Sequence, residues 1–221
     1  MKQYGGSDDE IDVTTSVGGA AGHCVVNEET GATEPAEGFR VVTGAVNWTV
    51  EEGRQVSHVV RAIPYPKFVP GTARDGYGDA ALLVLETPTT VPSIPIATPA
   101  NRGLMKVGRG ALIAGWGMTR YGEETFDESL MWAHTVVESD RCEGLWGRIC
   151  AIDFPAGRSG VCHGDSGGPL LAHRKHGKGY VEIAIVEAGF GKCTTRRPQI
   201  FTRTDLIAAW IGKTMAKNEG G

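Results

Sequence analysis

The sequence has no run approaching the roughly 18 uninterrupted apolar residues that a membrane helix needs. It also has no excess of positive charge: Lys+Arg 22 against Asp+Glu 26 gives a net charge of −4. That balance supplies no basic field to hold a phosphate backbone or anionic lipid, so neither nucleic acid nor a membrane is expected as a partner. The opening segment, Met1 to Asp12, carries Gly5, Gly6, Ser7, Asp8, Asp9 and Glu10 without an apolar run, and no signal peptide is read there. Cysteine is sparse. The five residues Cys24, Cys142, Cys150, Cys162 and Cys193 show no C-x-x-C spacing, which argues against a zinc site or a dithiol redox centre. Four of them fall late in the chain, enough for two bridges, and Cys24 is left over as a buried free thiol. No repeat with a period of about 20 to 50 residues stands out.

Glycine is abundant, 32 of 221 residues, about twice its ordinary usage. Tight turns joining short strands account for such a composition, and the length suits one large all-β or α/β domain, or two small modules. Period-two or continuous apolar runs of strand length recur at Ile11 to Val17, Phe39 to Val46, Val56 to Ile63, Ala80 to Leu85, Ala111 to Trp116, Met131 to Val137, Tyr180 to Val186 and Ile200 to Thr204. Turn-rich stretches such as Pro64 to Gly78 and Pro88 to Gly103 separate them, a pattern of sandwich or barrel rather than of alternating strand and helix. Only the C-terminus reads as a helix, over about 205–217. Thr204 or Asp205 is placed to cap it, and Leu206, Ile207, Trp210, Ile211 and Met215 recur at helical spacing. A joint near residue 100 divides the chain into 1–100 and 101–221.

The chemistry gathers around Ser166, in the run Gly164-Asp165-Ser166-Gly167-Gly168-Pro169-Leu170. Glycines there let backbone N–H groups face a substrate, but a serine hydroxyl attacks only when a base takes its proton and an acid orients that base. Ala20-Ala21-Gly22-His23-Cys24 supplies a histidine among small residues, and Gly78-Asp79 heads the apolar run Ala80 to Leu85. Asp75 competes with Asp79, and the apolar run directly after Asp79 decides for the latter. The other histidines, His58, His134, His163, His173 and His176, read as structural. Ser166 also satisfies the G-x-S-x-G elbow of α/β-hydrolases, but that fold places its acid and histidine after the serine. The order here is His, Asp, Ser.

With Ala114-Gly115-Trp116-Gly117 between them, these segments resemble the chymotrypsin-like (trypsin-type) serine proteases from about Tyr4 to the terminal helix. The resemblance implies two packed Greek-key β-barrels of six strands each, the first incomplete at its N-terminus, with the site in the cleft between them and a C-terminal helix. It assigns Ser166 as nucleophile, His23 as general base then acid, Asp79 as the residue orienting His23, and the N–H groups of Gly164 and Ser166 as the oxyanion hole. It also pairs Cys142 with Cys150 and Cys162 with Cys193, which implies an oxidising, secreted or extracellular setting. Gly160 then lies at the floor of the specificity pocket, with Val161, Gly189 and Gln199 around it. No carboxylate lies among them, so cleavage is expected after small or medium uncharged side chains rather than Arg or Lys.

The chain departs from the family in three places. The Ile-Val-Gly-Gly type terminus, whose amine buries against the acid before the nucleophile (here Asp165), is not found, and Arg40 to Gly44 imitates it only after His23. Tyr4-Gly5-Gly6-Ser7 resembles a Cys-Gly-Gly-Ser segment with tyrosine for the cysteine that would partner Cys24. The chain is therefore expected to begin late and to be zymogen-like or inactive as it stands. Glu187 occupies a position where the family has serine beside the catalytic acid, and like-charge repulsion from Asp79 is expected to turn its side chain elsewhere. The basic run Arg174, Lys175, His176 and Lys178 reads as a solvated loop, and Asn47-Trp48-Thr49 matches a glycosylation acceptor on which nothing is built. The expected function is a monomeric serine endopeptidase without metal or organic cofactor, acting on polypeptides and open to protein protease inhibitors. The alternative is a non-catalytic homologue serving as a binding module.

Overall fold

The computed structural model describes residues 10–11, 16–71, 78–122, 125–153, 159–174, 179–189, 193 and 197–218. Its strands are β1 (Glu10–Ile11), β2 (Val17–Ala20), β3 (Arg40–Thr43), β4 (Gln55–Pro64), β5 (Ala81–Leu85), β6 (Ile96–Ala97), β7 (Gly110–Gly115), β8 (Met131–Ser139), β9 (Arg148–Asp153), β10 (Pro169–His173), β11 (Tyr180–Ala188) and β12 (Gln199–Arg203). A single α-helix, α1 (Ala208–Asn218), follows them. One sheet runs β2-β5-β4-β3 and is open, a half-barrel. The other runs β1-β6-β11-β10-β7-β8-β9-β12, and pairing of β11 with β12 closes its last six strands into a barrel.

Burial explains which runs became strands. All five residues of β5 are buried between β2 and β4, so the run is continuously apolar rather than alternating. Inside the closed barrel Ile149, Leu170, Ile183 and Phe201 are wholly buried in one core. A second cluster crosses the seam between the sheets, joining Val17 and Leu82 to Ile185 and to Ile211 and Met215 of α1. Those two helix residues stand four apart on one face, the spacing that lets a helix lie on a sheet.

The structure differs from the sequence reading at several elements. The strand expected over Ile11 to Val17 appears as β1 and as β2, which runs on through Gly18 and Gly19, with residues 12–15 outside the described set. β9 and β10 carry no sequence signal strong enough to find them: β9 begins on Arg148, ends on Asp153 and holds a bridged cysteine, and β10 is five residues behind a glycine pair. Neither Thr204 nor Asp205 caps the helix. They lie in a 3-10 turn, Thr204–Leu206, where the Thr204 hydroxyl donates to the Glu182 carbonyl at 2.9 Å. The buried Asp205 carboxylate accepts from Arg102 at 3.0 Å and Arg203 at 2.9 Å, so a charge that could have capped is used to tie the turn to both sides.

Glu182 of β11 lines a trough of about 410 Å³ whose walls come from the half-barrel and from Trp210 and Ile211. The residue is half-buried along that trough, and burial pushes its carboxyl group up to about 7. Unfolded, the same group releases its proton near 4.5. The folded state therefore binds the proton more tightly, and stability is lost as pH rises from about 4.5 through about 7. Glu182→Gln removes that loss. Urea unfolding should show the variant gaining about 2 kcal/mol on the parent between roughly pH 4.5 and 8, and a pH-independent difference would contradict the account.

Candidate active site

β2 and β5 pair with Ala20 opposite Ala81, so the residues just after β2 and just before β5 must be neighbours. His23 sits in the 3-10 turn Gly22–Cys24 and Asp79 two residues before β5. The register brings them together: the His23 backbone N–H donates to Asp79 Oδ1 at 2.8 Å, and the ring Nδ1 pairs with Oδ2 at 2.6 Å. One carboxylate thus fixes both the backbone and the ring of the same residue. It also selects the tautomer with the proton on Nδ1, leaving Nε2 as the base. The imidazole is 28% exposed, whereas the aspartate side chain is 6% exposed. The hydrogen bond that the ring donates to Asp79, with the Cys24 group beside the ring, pushes the imidazolium up to about 10 against the opposing pull of burial, and the charge of Asp79 adds to it.

Ser166 comes from the other sheet. Its segment is laid on β11 by hydrogen bonds from the Gly167 N–H to Val186 O at 3.0 Å and from the Val186 N–H to Gly168 O at 2.8 Å. Gly167 has φ +83°, and a Cβ there would lie 2.8 Å from the Ala21 backbone nitrogen and 3.2 Å from Ala20 Cα. Only glycine lets the two sheets meet so closely at this point. On the far side of the same contact Cys24 Sγ lies 4.0 Å from the Ser166 carbonyl oxygen. His23, Asp79 and Ser166 therefore share one locus at the seam.

Among the described residues the Ser166 hydroxyl makes no hydrogen bond, and no backbone acceptor takes the N–H of Gly164 or Ser166. Two backbone donors, a serine hydroxyl and an imidazole oriented by a carboxylate are the groups that acyl transfer requires, and they meet at one seam with the imidazole holding its proton as it stands.

The pocket residues also converge. The Gln199 amide fills the space in front of Gly160, where a Cβ would overlap it, and Gly189 faces Val161, its missing Cβ 3.4 Å from the Val161 carbonyl. Val161 and Gln199 are both buried. The bridge Cys162–Cys193 spans 4.8 Å between Cα atoms beside this pocket, and Cys142–Cys150 spans 4.7 Å against Ile200. Cys24 is free, as expected, but exposed rather than buried, because only Gly22 of its turn faces the core.

Asp165 accepts the N–H groups of Cys162 at 2.8 Å and Gly117 at 3.0 Å. Burial pushes its carboxyl up, and those two donors pull it back. A cavity of about 210 Å³ lies beside it, between Gly117, Met118 and Val161. Glu187, expected to turn away from Asp79, is held by Arg148 and Thr202, and nothing in the sequence singles out either of them. Asp75, Lys175, His176 and Lys178 lie outside the described residues.

A family model described as Trypsin matches residues 20–211. The chain belongs to the trypsin family. Among its trypsin-family relatives, "Transmembrane protease serine 9" of Rattus norvegicus is 30% identical over 162 residues, 70% of this chain and 15% of that protein. "Fibrinolytic enzyme, isozyme C" of Lumbricus rubellus is 28% identical over 187 residues, 79% of this chain and 76% of that one. The chain thus spans about a seventh of the rat relative and three quarters of the worm one. A solved structure of neuropsin, a serine protease expressed in the limbic system of mouse brain, superposes with a TM-score of 0.72 at 24% identity, covering 93% of this chain and 87% of that one. That likeness shows the trypsin fold.

Gly167→Ala should destabilise the protein by about 2–3 kcal/mol, since it combines a positive φ with backbone overlap. Gly18→Ala in β2, where nothing lies within 4 Å of the new methyl, should stay within about 0.5 kcal/mol of the parent. Denaturant midpoints test both, and equal losses would remove the seam contact as the reason for glycine at 167.

Proposed function

We propose that the chain is a serine endopeptidase, with 1–100 and 101–221 as the halves that supply the base and the nucleophile. The observation that carries the reading is the His23–Asp79 couple, 2.6 Å between Nδ1 and Oδ2, set against the Ser166 segment at the Gly167 contact. Ser166 Oγ attacks the scissile carbonyl carbon while His23 Nε2 takes the hydroxyl proton. The carbonyl π pair moves onto oxygen, where the N–H groups of Gly164 and Ser166 hold it. Collapse breaks the C–N bond, His23 returns the proton to the leaving amine, and an acyl-enzyme remains. Water then repeats the sequence and frees Ser166. None of these steps requires a metal or an organic cofactor.

The pocket supports cleavage after small or medium uncharged side chains. Gln199 and Val161 narrow it, and no carboxylate stands among Gly160, Val161, Gly189 and Gln199 to compensate a buried Arg or Lys. Asp165 supports a zymogen-like resting state: its carboxyl is pushed up by burial and meets no cation among the described residues. An amine entering the neighbouring cavity would lower that carboxyl and draw the 162–166 segment to it. The two bridges suit a secreted protein in an oxidising compartment, acting as a monomer on polypeptides and held in check by protein inhibitors.

Fluorophosphonate labelling tests the reading, with the parent chain, the parent supplied with an Ile-Val dipeptide as the amine, and Ser166→Ala. Labelling of the parent, strengthened by the dipeptide and absent from Ser166→Ala, is expected. No labelling under either condition would favour the binding homologue instead. Among peptide anilides, Ala, Val and Leu substrates should be hydrolysed faster than Arg, and the reverse order would overturn the pocket assignment.

A further inference from the structure

Glu187 stands where the pairing of β11 with β12 slips, between Val186 opposite Phe201 and Ala188 opposite Ile200. A bulge adds a residue to one strand and re-aims its side chain. Here the carboxylate is aimed into the protein: the Arg148 Nε–H donates to Oε1 at 2.6 Å and the Thr202 hydroxyl to Oε2 at 2.8 Å. Arg148 and Thr202 face each other across β9 and β12, so one cross-strand pair supplies both donors. The ion pair is sealed, with side chains 5% and 10% exposed.

The Val186 carbonyl, next to Glu187, takes the Gly167 N–H at 3.0 Å; a Cβ at Gly167 would lie 2.8 Å from the Ala21 nitrogen, and one at the following Gly22 would lie 3.0 Å from Asp79 Oδ1, so the seam carries Asp79 to the Glu187 side. Burial pushes the glutamate carboxyl up, the charge of Asp79 adds to it, and Arg148 and Thr202 pull it back. The charged and titratable groups described around Glu187 are therefore Arg148 from β9 and Asp79 from the segment before β5, the latter carrying His23 on its other side.

We propose that Glu187 and Arg148 are positioning residues for the His23–Asp79 couple, the guanidinium cancelling the second carboxylate so that it adds nothing to what Asp79 and Cys24 already exert on the imidazole. Its bearing on peptide hydrolysis rests on the endopeptidase reading, but the charge balance itself does not. A second buried anion would hold the proton on His23 and disable the base. A guanidinium left without its carboxylate would do the opposite and weaken the hold of Asp79 on the ring.

NMR titration of the His23 imidazole in the full chain tests this. Glu187→Gln leaves the Arg148 cation uncompensated and should lower the His23 midpoint by about one pH unit. The double variant Arg148→Met/Glu187→Gln removes both charges and should return the midpoint to within about 0.3 units of the parent. If Glu187→Gln does not fold, Glu187→Ser leaves room for water around the guanidinium and carries the same expectation. A purely structural pair would not lower the midpoint in the single variant and restore it in the double.

An unmoved midpoint in the single variant, or a double variant displaced as far as the single, overturns the proposal. Because the titration needs no turnover, a chain that fails fluorophosphonate labelling can still pass it, and a labelled chain with an unmoved midpoint sinks the pair alone. Where hydrolysis is measured, the acid limb of kcat/KM should move down with the midpoint in the single variant and recover in the double.

Discussion

The pairing of β2 with β5 is the constraint on which the rest depends. Four residue pairs of ladder, Val17 with Val84 through Ala20 with Ala81, decide that a turn after one strand and a loop before the next end side by side. Everything chemical in the first sheet follows from that register, since a slip of one residue would turn His23 and Asp79 to opposite faces. The wholly buried β5 is paired on both sides, with β2 and with β4, and those two ladders hold the register. The nucleophile then needs a close approach between two separate sheets, and a backbone contact at Gly167 does this without depending on any side chain.

Carboxylates are unusually concentrated around this seam. Asp79, Asp165, Glu182 and Glu187 are each substantially buried, and each is handled differently. Asp79 is held by two donors from His23, Asp165 by two backbone N–H groups, Glu187 by an arginine and a threonine, and the Glu182 carboxyl is pushed up by burial alone. A chain with a net charge of only −4 has thus placed a sizeable share of its acids where their cost depends on partners rather than on water.

The motifs were legible because each puts a rare residue type in a setting with few structural explanations: a serine among glycines, a histidine among alanines, an acid heading an apolar strand. β5, β7 and β11 were legible because continuous or alternating apolar runs survive inspection without a structure. β9 and β10 were not, since pairing on both sides stabilises them more than their own composition does. The Arg148–Glu187 pair was beyond reach for a different reason. Its members lie 39 residues apart and are joined by a bulge, a feature of register with no signature in residue order. The exposure of Cys24 depended likewise on which side of a three-residue turn met the core.

Both covalent bridges belong to the closed barrel, at separations of 8 and 31 residues, while the half-barrel has none and its one cysteine stands free. Cross-links of that span restrict the unfolded chain by roughly 3 and 4 kcal/mol, but only for the part that they enclose. The covalent restraint therefore acts on the half that supplies the nucleophile and not on the half that supplies the base, and what ties the second half to the first is the shared buried cluster at the seam rather than any cross-link.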